Sequence, residues 1–440
     1  VKGDGKGKKM VALLTMPEYD FLKTEPVHGP AYRPQSIEEV DVRQSVLEDI
    51  ALKTLYLTGS LSILDLSEKT RLSFEVAKEI SFHLRTEMLC QVNGMTGNIP
   101  QIAITAAGRT RAADLLAQSH YTGPAPVSLE SYVEQTRKQS VRKLEVHADE
   151  VKRAFSHLVI DSSTLRRFGT ALNSGSSIFI YGPPGTGKTT VAETLSKVIA
   201  EDEVWIPHAV EVDSSIITVY DPAIHRKAAD PGPANRDERW VLCQRPAVLV
   251  GGELTAEMLD LQFNPITKFY VAPAQMKANN GVLIIDDFGR QRIRPEDLLN
   301  RWVVPLDRRI DFLTLAGGKK LEVPFEMLIV FASNMDPAEL VDECFLRRIQ
   351  TKIKVGTVPD ASFVEIFRRV AIEYQVAYDP GVPQALIDFI RGTMNRELRQ
   401  CYPRDIVNQV LWAARYEGKK PYIDSLALAQ AVEAYFLQKN

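Results

Sequence analysis

Cysteine is scarce: Cys90, Cys243, Cys344 and Cys401 are the four in 440 residues, too scattered to form a framework. That excludes a disulfide-stapled fold and suits a reducing cytoplasm, the compartment expected here. Long apolar runs are missing too. None approaches the roughly 20 residues needed to span a bilayer, so no membrane insertion is expected. The short run at residues 10–16, behind Lys8 and Lys9, is cut off by Pro17, Glu18 and Asp20 and makes a poor signal sequence. An excess of one charge is lacking, with a net of −3 at pH 7, which argues against general affinity for polyanions. There are no internal repeats. No Cys or His pair stands at ligand spacing, so His208 and His225, although near acids, read as solvated or core residues. What is present is ordinary for a globular protein: 45% hydrophobic, 25% charged, and long enough for two or three domains.

Against that plain background one segment stands out. Gly182, Pro183, Pro184, Gly185, Thr186, Gly187, Lys188 and Thr189 follow the β-prone run 177–181 and precede a helix-like run beginning at Thr190. Strand, glycine loop, helix is the arrangement that cradles phosphate. Backbone N–H groups must converge on the anion, which needs glycine where a Cβ would obstruct or φ is positive. The following helix presents its unsatisfied N–H groups, Lys188 reaches the β/γ-phosphates, and the Thr189 hydroxyl ligates Mg²⁺.

Magnesium also needs a carboxylate at the end of a neighbouring buried strand. Residues 281–287 read G-V-L-I-I-D-D, an apolar run suited to a strand covered on both faces. Alone it would be a plain core strand. Behind a phosphate loop it assigns Asp286 to the Mg²⁺ shell and Asp287 to orienting or deprotonating water.

From these residues onward the chain resembles the AAA+ ATPases, over about residues 150 to 438. The resemblance implies that residues 328–334 form the strand ending in the first sensor, with Asn334 holding the attacking water. It implies that residues 342–349 carry the arginine finger, as Arg348 or Arg347. It implies that Tyr402-Pro403-Arg404-Asp405 is the second sensor, where Arg404 touches ATP from a helical lid. A hairpin over residues 311–324 around Gly317-Gly318, together with the lid sequence, is similar to the MoxR-type, pre-sensor-hairpin subgroup. Most relatives carry Glu where this chain has Asp287, a carboxylate one methylene shorter, which leaves an ATP-binding scaffold without turnover as an alternative. A finger acting in trans is worth about 10³ to 10⁵ in rate, so the resemblance implies a homo-oligomer, a ring of six with ATP at each interface.

Lys188 and Asp286 are 98 residues apart, far more than the roughly 30 of a bare βαβ unit, so something is inserted between them. Phe269 and Tyr270 within it are either a grip on a partner in a central channel or rings packed under the strand that bears the acids. Ahead of the core, residues 37–121 have the order of a winged helix-turn-helix. Over residues 36–127 eight Lys and Arg face eleven Asp and Glu, which favours protein contact over DNA, although Lys69, Arg71, Arg109 and Arg111 could form a local basic patch. Residues 129–147 read as a charged, largely solvated helix.

The expectation is therefore an α/β protein: a phosphate-loop core of parallel sheet and helices, a C-terminal helical lid and a small N-terminal winged-helix-like domain. The divisions are a tail at 1–36, partly disordered, then 37–121, a linker and charged helix at 122–150, the nucleotide-binding unit at 151–356 and the lid at 357–440. The expected function is Mg-dependent ATP hydrolysis coupled to remodelling or assembling a protein client. The alternative is an ATP-switched DNA-binding protein working through the winged helix.

Overall fold

The computed structural model describes residues 32–229, 235–340 and 342–436; of the expected tail at 1–36, residues 1–31 lie outside them. Five short runs of β-branched and aromatic residues form the central sheet: β1 (Ile178–Tyr181), β2 (Ala247–Val250), β3 (Val282–Ile285), β4 (Leu328–Ser333) and β5 (Thr351–Lys354). Every pairing is parallel, in the order β2-β3-β4-β1-β5. Side chains alternate between faces. Phe179, Leu283, Ile285, Ile329 and Phe331 enter one core, and Ile178, Ile180, Val282, Ile284 and Val330 enter the other. Burial on both sides is why β1, β3 and β4 read as continuous apolar runs, while the edge strands β2 and β5 are partly exposed. This is the mixed α/β architecture expected from the sequence. The strand bearing the acids is not the immediate neighbour of β1, because β4 lies between them.

Helix α1 (Lys188–Ile199) follows the glycine loop and buries Val191, Ala192, Leu195 and Ile199 against the second face. The interval before β2 holds further strands. Glu203–Pro207 pairs with Trp240–Gln244, while Ala209–Val212 turns back onto Ser215–Thr218. The turn residues Asp213 and Ser214 have φ of 50° and 68°, the positive values that a two-residue hairpin turn demands. That hairpin takes Val127–Ser128 along one edge and Tyr270–Val271 along the other. The single apolar stretch 204–212 thus feeds two different sheets.

Residues 37–121 contain helices Gln44–Thr58, Ile63–Thr70 and Phe74–Thr86, a three-stranded antiparallel sheet, and helix Ala106–Gln118. Ser62, Ser73 and Thr105 each cap the following helix through their hydroxyls. The strands Cys90–Thr96 and Ile99–Ile104 run on almost to Gly97, with a bulge between Val92 and Gly94. This unit is docked, not tethered. Arg239, buried in the insert, grips Asp237 and reaches Asp41 at 2.6 Å and the Pro126 carbonyl at 3.1 Å, while Glu238 meets both Arg33 and Arg71.

The linker helix is shorter than expected, Leu129–Lys138. It ends where Gln139 turns inward: its amide donates to the Trp205 carbonyl at 2.7 Å and to Asn280 Oδ1 at 3.0 Å, and its Oε1 accepts from the Trp205 N–H. With Tyr132, Gln135 and Thr136 also buried, the helix is a seam and not a solvated face.

Beyond β5 a separate core holds helix Asp360–Glu373, helix Val382–Asp388 with its π-helical continuation Phe389–Thr393, α2 (Cys401–Glu417) and helix Ser425–Tyr435.

Candidate active site

The carboxyl ends of parallel strands are where α/β sheets bind ligands, and three of the motif segments meet there. After β1 the chain enters the loop at Gly182, whose N–H donates to the Ser333 carbonyl of β4. Gly182 has φ of 148°, and a Cβ there would lie 2.1 Å from the Val355 carbonyl oxygen. Only glycine can pass. Gly185 and Gly187 also hold positive φ, 80° and 76°. Gly187 precedes α1 with no side-chain cap, so the N–H groups of the first turn stay available to an anion. Thr186 Oγ1 and Lys188 Nζ both donate to the Pro183 carbonyl, at 2.9 and 2.8 Å. Pro184 and Thr190 are exposed at the two flanks.

Thr189 Oγ1 donates to Asp286 Oδ2 at 2.8 Å, bridging from α1 past β4 to the end of β3. Asp287 lies in the left-handed region at φ 50°, and its N–H turns back to Asp286 Oδ1 at 3.0 Å. Its carboxylate is held from β4, where Asn334 Nδ2 donates to Asp287 Oδ1 at 2.7 Å. Two braces missed in the sequence fix this turn: Gln291 Nε2 donates to the Asp286 carbonyl, and Ser333 Oγ to that of Phe288. Burial draws the Lys188 ammonium below the ordinary lysine range; Asp287 and Asp286 oppose this and Arg399 reinforces it.

A loop of three glycines at positive φ, an uncapped helix start, a lysine and a hydroxyl–carboxylate oxygen pair fit Mg·ATP, because Mg²⁺ is held through one or two protein oxygens plus phosphate. Among the described residues no cluster of three or more His, Cys, Asp or Glu could hold a metal unaided. His225 is buried and satisfied, accepting from the Asp221 N–H at 2.9 Å while its Nε2 faces the Lys277 carbonyl, in line with a core histidine.

Arg347 and Arg348 do not join this site. Arg348 accepts a bond from Ser177 Oγ at its carbonyl and places its guanidinium 3.0 Å from Asp307 Oδ2. That is the amino end of β1, about 13 Å of strand from the loop. Arg347 is exposed, with no acidic partner among the described residues. Arg404 lies on α2 with Nε 3.6 Å from Asp405 Oδ1, its side chain 59% exposed. It is the preceding residues that touch the loop: the Cys401 N–H donates to the Gly185 carbonyl at 3.1 Å. Sequence reasoning passed over them because nothing in their pattern marks them out.

The channel reading of the insert aromatics is corrected. Tyr270 is 7% exposed in the insert core, and its hydroxyl accepts from the Ala316 N–H at 2.8 Å in the hairpin Ile310–Thr314/Lys320–Pro324. Phe269 stacks edge-on with Tyr121, centroids 5.5 Å apart. Neither ring lies under β3; one braces the hairpin and the other docks the N-terminal unit.

Residues 359–434 match a family model described as a domain of unknown function, DUF8689, which coincides with the C-terminal helical unit. Comparison with curated proteins gives no match. Among solved structures, NtrX from Brucella abortus in complex with ADP is 17% identical, over 61% of this chain and 54% of that one, with a TM-score of 0.37. The chain thus spans about half the length of that protein. RuvB from Thermotoga maritima, described as a Holliday junction branch migration motor, is 14% identical over 67% of this chain and 73% of that one, with a TM-score of 0.34.

Proposed function

We propose that this chain is an ATPase of AAA+ type that hydrolyses Mg·ATP at the carboxyl ends of β1, β3 and β4. The observation that carries the reading is the meeting of three sequence-distant groups at one glycine loop: Thr189 bonded to Asp286, and Asn334 bonded to Asp287. Lys188 and the first-turn N–H groups of α1 hold the phosphates. Thr189 and Asp286 hold Mg²⁺, which when bound neutralises charge on the β- and γ-phosphate oxygens. Asp287 takes the proton from the attacking water. Its Oδ1 is fixed by Asn334, leaving Oδ2 for the water.

Because Arg347 and Arg348 lie at the far end of β1 from their own loop, a finger from this segment acts on a second copy, in keeping with a ring. Arg347 suits that role better than Arg348, which is paired with Asp307. The MoxR-type subgroup, a protein client and the winged-helix reading of residues 37–121 belong to the same proposal. The pairing of Arg71 with Glu238 takes one member of the basic patch and favours protein contact over DNA. Phosphate release by the purified chain tests the reading: activity lost in Lys188→Ala, and lost in Asp287→Asn with nucleotide binding kept, is expected. Equal activity in wild type and Lys188→Ala would refute it.

A further inference from the structure

Resting on that reading, we infer that Arg399 is the lid cation that contacts the nucleotide phosphates. It lies five residues ahead of Arg404, the position that the motif points to. The start of α2 is laid directly across the glycine loop. The Cys401 N–H bonds the Gly185 carbonyl at 3.1 Å. A Cβ built on Gly185 would stand 2.6 Å from Cys401 Sγ and 3.5 Å from Arg399 Cδ, and one built on Gly187 would stand 2.8 Å from Gln400 Oε1. The three residues Arg399, Gln400 and Cys401 therefore form the surface that the loop glycines face, and Arg399 brings the positive charge.

Its surroundings leave it available. Arg399 is half-buried, its guanidinium carbon 5.9 Å from the Tyr402 ring centroid, and no carboxylate pairs with it among the described residues. The same loop holds Lys188, whose Nζ donates to the Pro183 carbonyl at 2.8 Å. Two cations at one loop, neither in an ion pair with a carboxylate among the described residues, is the electrostatics of a phosphate site. Arg404 is differently placed. It is held toward Asp405, which is itself anchored by the Tyr435 hydroxyl at 2.7 Å.

The test is binding of a fluorescent ATP analogue with Mg²⁺ to the full chain and its variants. Wild type binds and Lys188→Ala does not; should wild type fail to bind, the nucleotide reading itself falls. With binding established, Arg399→Ala is expected to weaken affinity roughly 10- to 100-fold, the loss of a hydrogen bond to a charged group, and by at least about tenfold more than Arg404→Ala. Arg399→Lys should recover part of the loss, because charge and not shape is being supplied. A larger loss in Arg404→Ala than in Arg399→Ala, or no recovery in Arg399→Lys, overturns the assignment.

Discussion

At the scale of single residues, buried charge marks both the loop, at Lys188, and the docking seam, at Asp237 and Arg239. Arg239 has 4% of its side chain exposed and satisfies Asp237 and Asp41 together. Arg239→Ala would strand two carboxylates, and breaking such a buried pair costs about 3–5 kcal/mol, readable as a lower urea midpoint. Burial works to raise the Asp41 pKa, but Arg239 and the bonds from Ser131 and Ser128 prevail and hold it at about 2, below the usual 3.8. A carboxyl depressed in the folded state stabilises it fully above its unfolded value and loses that contribution as pH falls toward the folded one. Stability should therefore decline between about pH 4 and pH 2, and Asp41→Asn should flatten that slope in thermal melts. The groups that meet at the loop were legible because each sits at the end of a local pattern, apolar run, then glycine loop, paired acids or Asn334, whereas Arg347 and Arg348 do not join them. Arg399 and Gln139 were not legible, since each owes its place to a partner more than a hundred residues away and no local period encodes such a choice.

Among the elements, the core strands were readable because burial on both faces leaves an unbroken apolar signature. The linker helix misled because its charges mark one face and say nothing of the residue that must turn into the seam. Strand pairing depends on one further small residue. A Cβ on Gly281 would stand 2.0 Å from the Pro246 carbonyl oxygen, the acceptor of the Val282 N–H at 2.8 Å. Gly281→Ala must therefore part β2 from β3 at their amino ends, the far end of β3 from the acids. Its cost should reach or exceed the roughly 1–3 kcal/mol of ordinary overpacking. Gly317→Ala, where a Cβ meets nothing within 4 Å, serves as the neutral control in the same urea titration.

For the whole molecule, the insert, the linker and residues 37–121 share buried contacts, a union invisible to composition because its members are far apart in the chain. The trans-acting arginine is best tested by mixing two dead proteins. Arg347→Ala retains an intact loop and Lys188→Ala retains an intact finger, so mixed assemblies should regain a fraction of wild-type phosphate release that rises with total concentration. No recovery at any ratio would leave the finger unsupported. One consequence follows from the placing of Arg347 and the glycine loop at opposite ends of β1. A body that gives at one pole and receives at the other has a front and a back. If Arg347 serves a second copy, copies set nose to tail pass the service along a row, whereas a twofold pair closes it between two partners. Such a chain of dependence has to bite its own tail or leave one member at the end waiting.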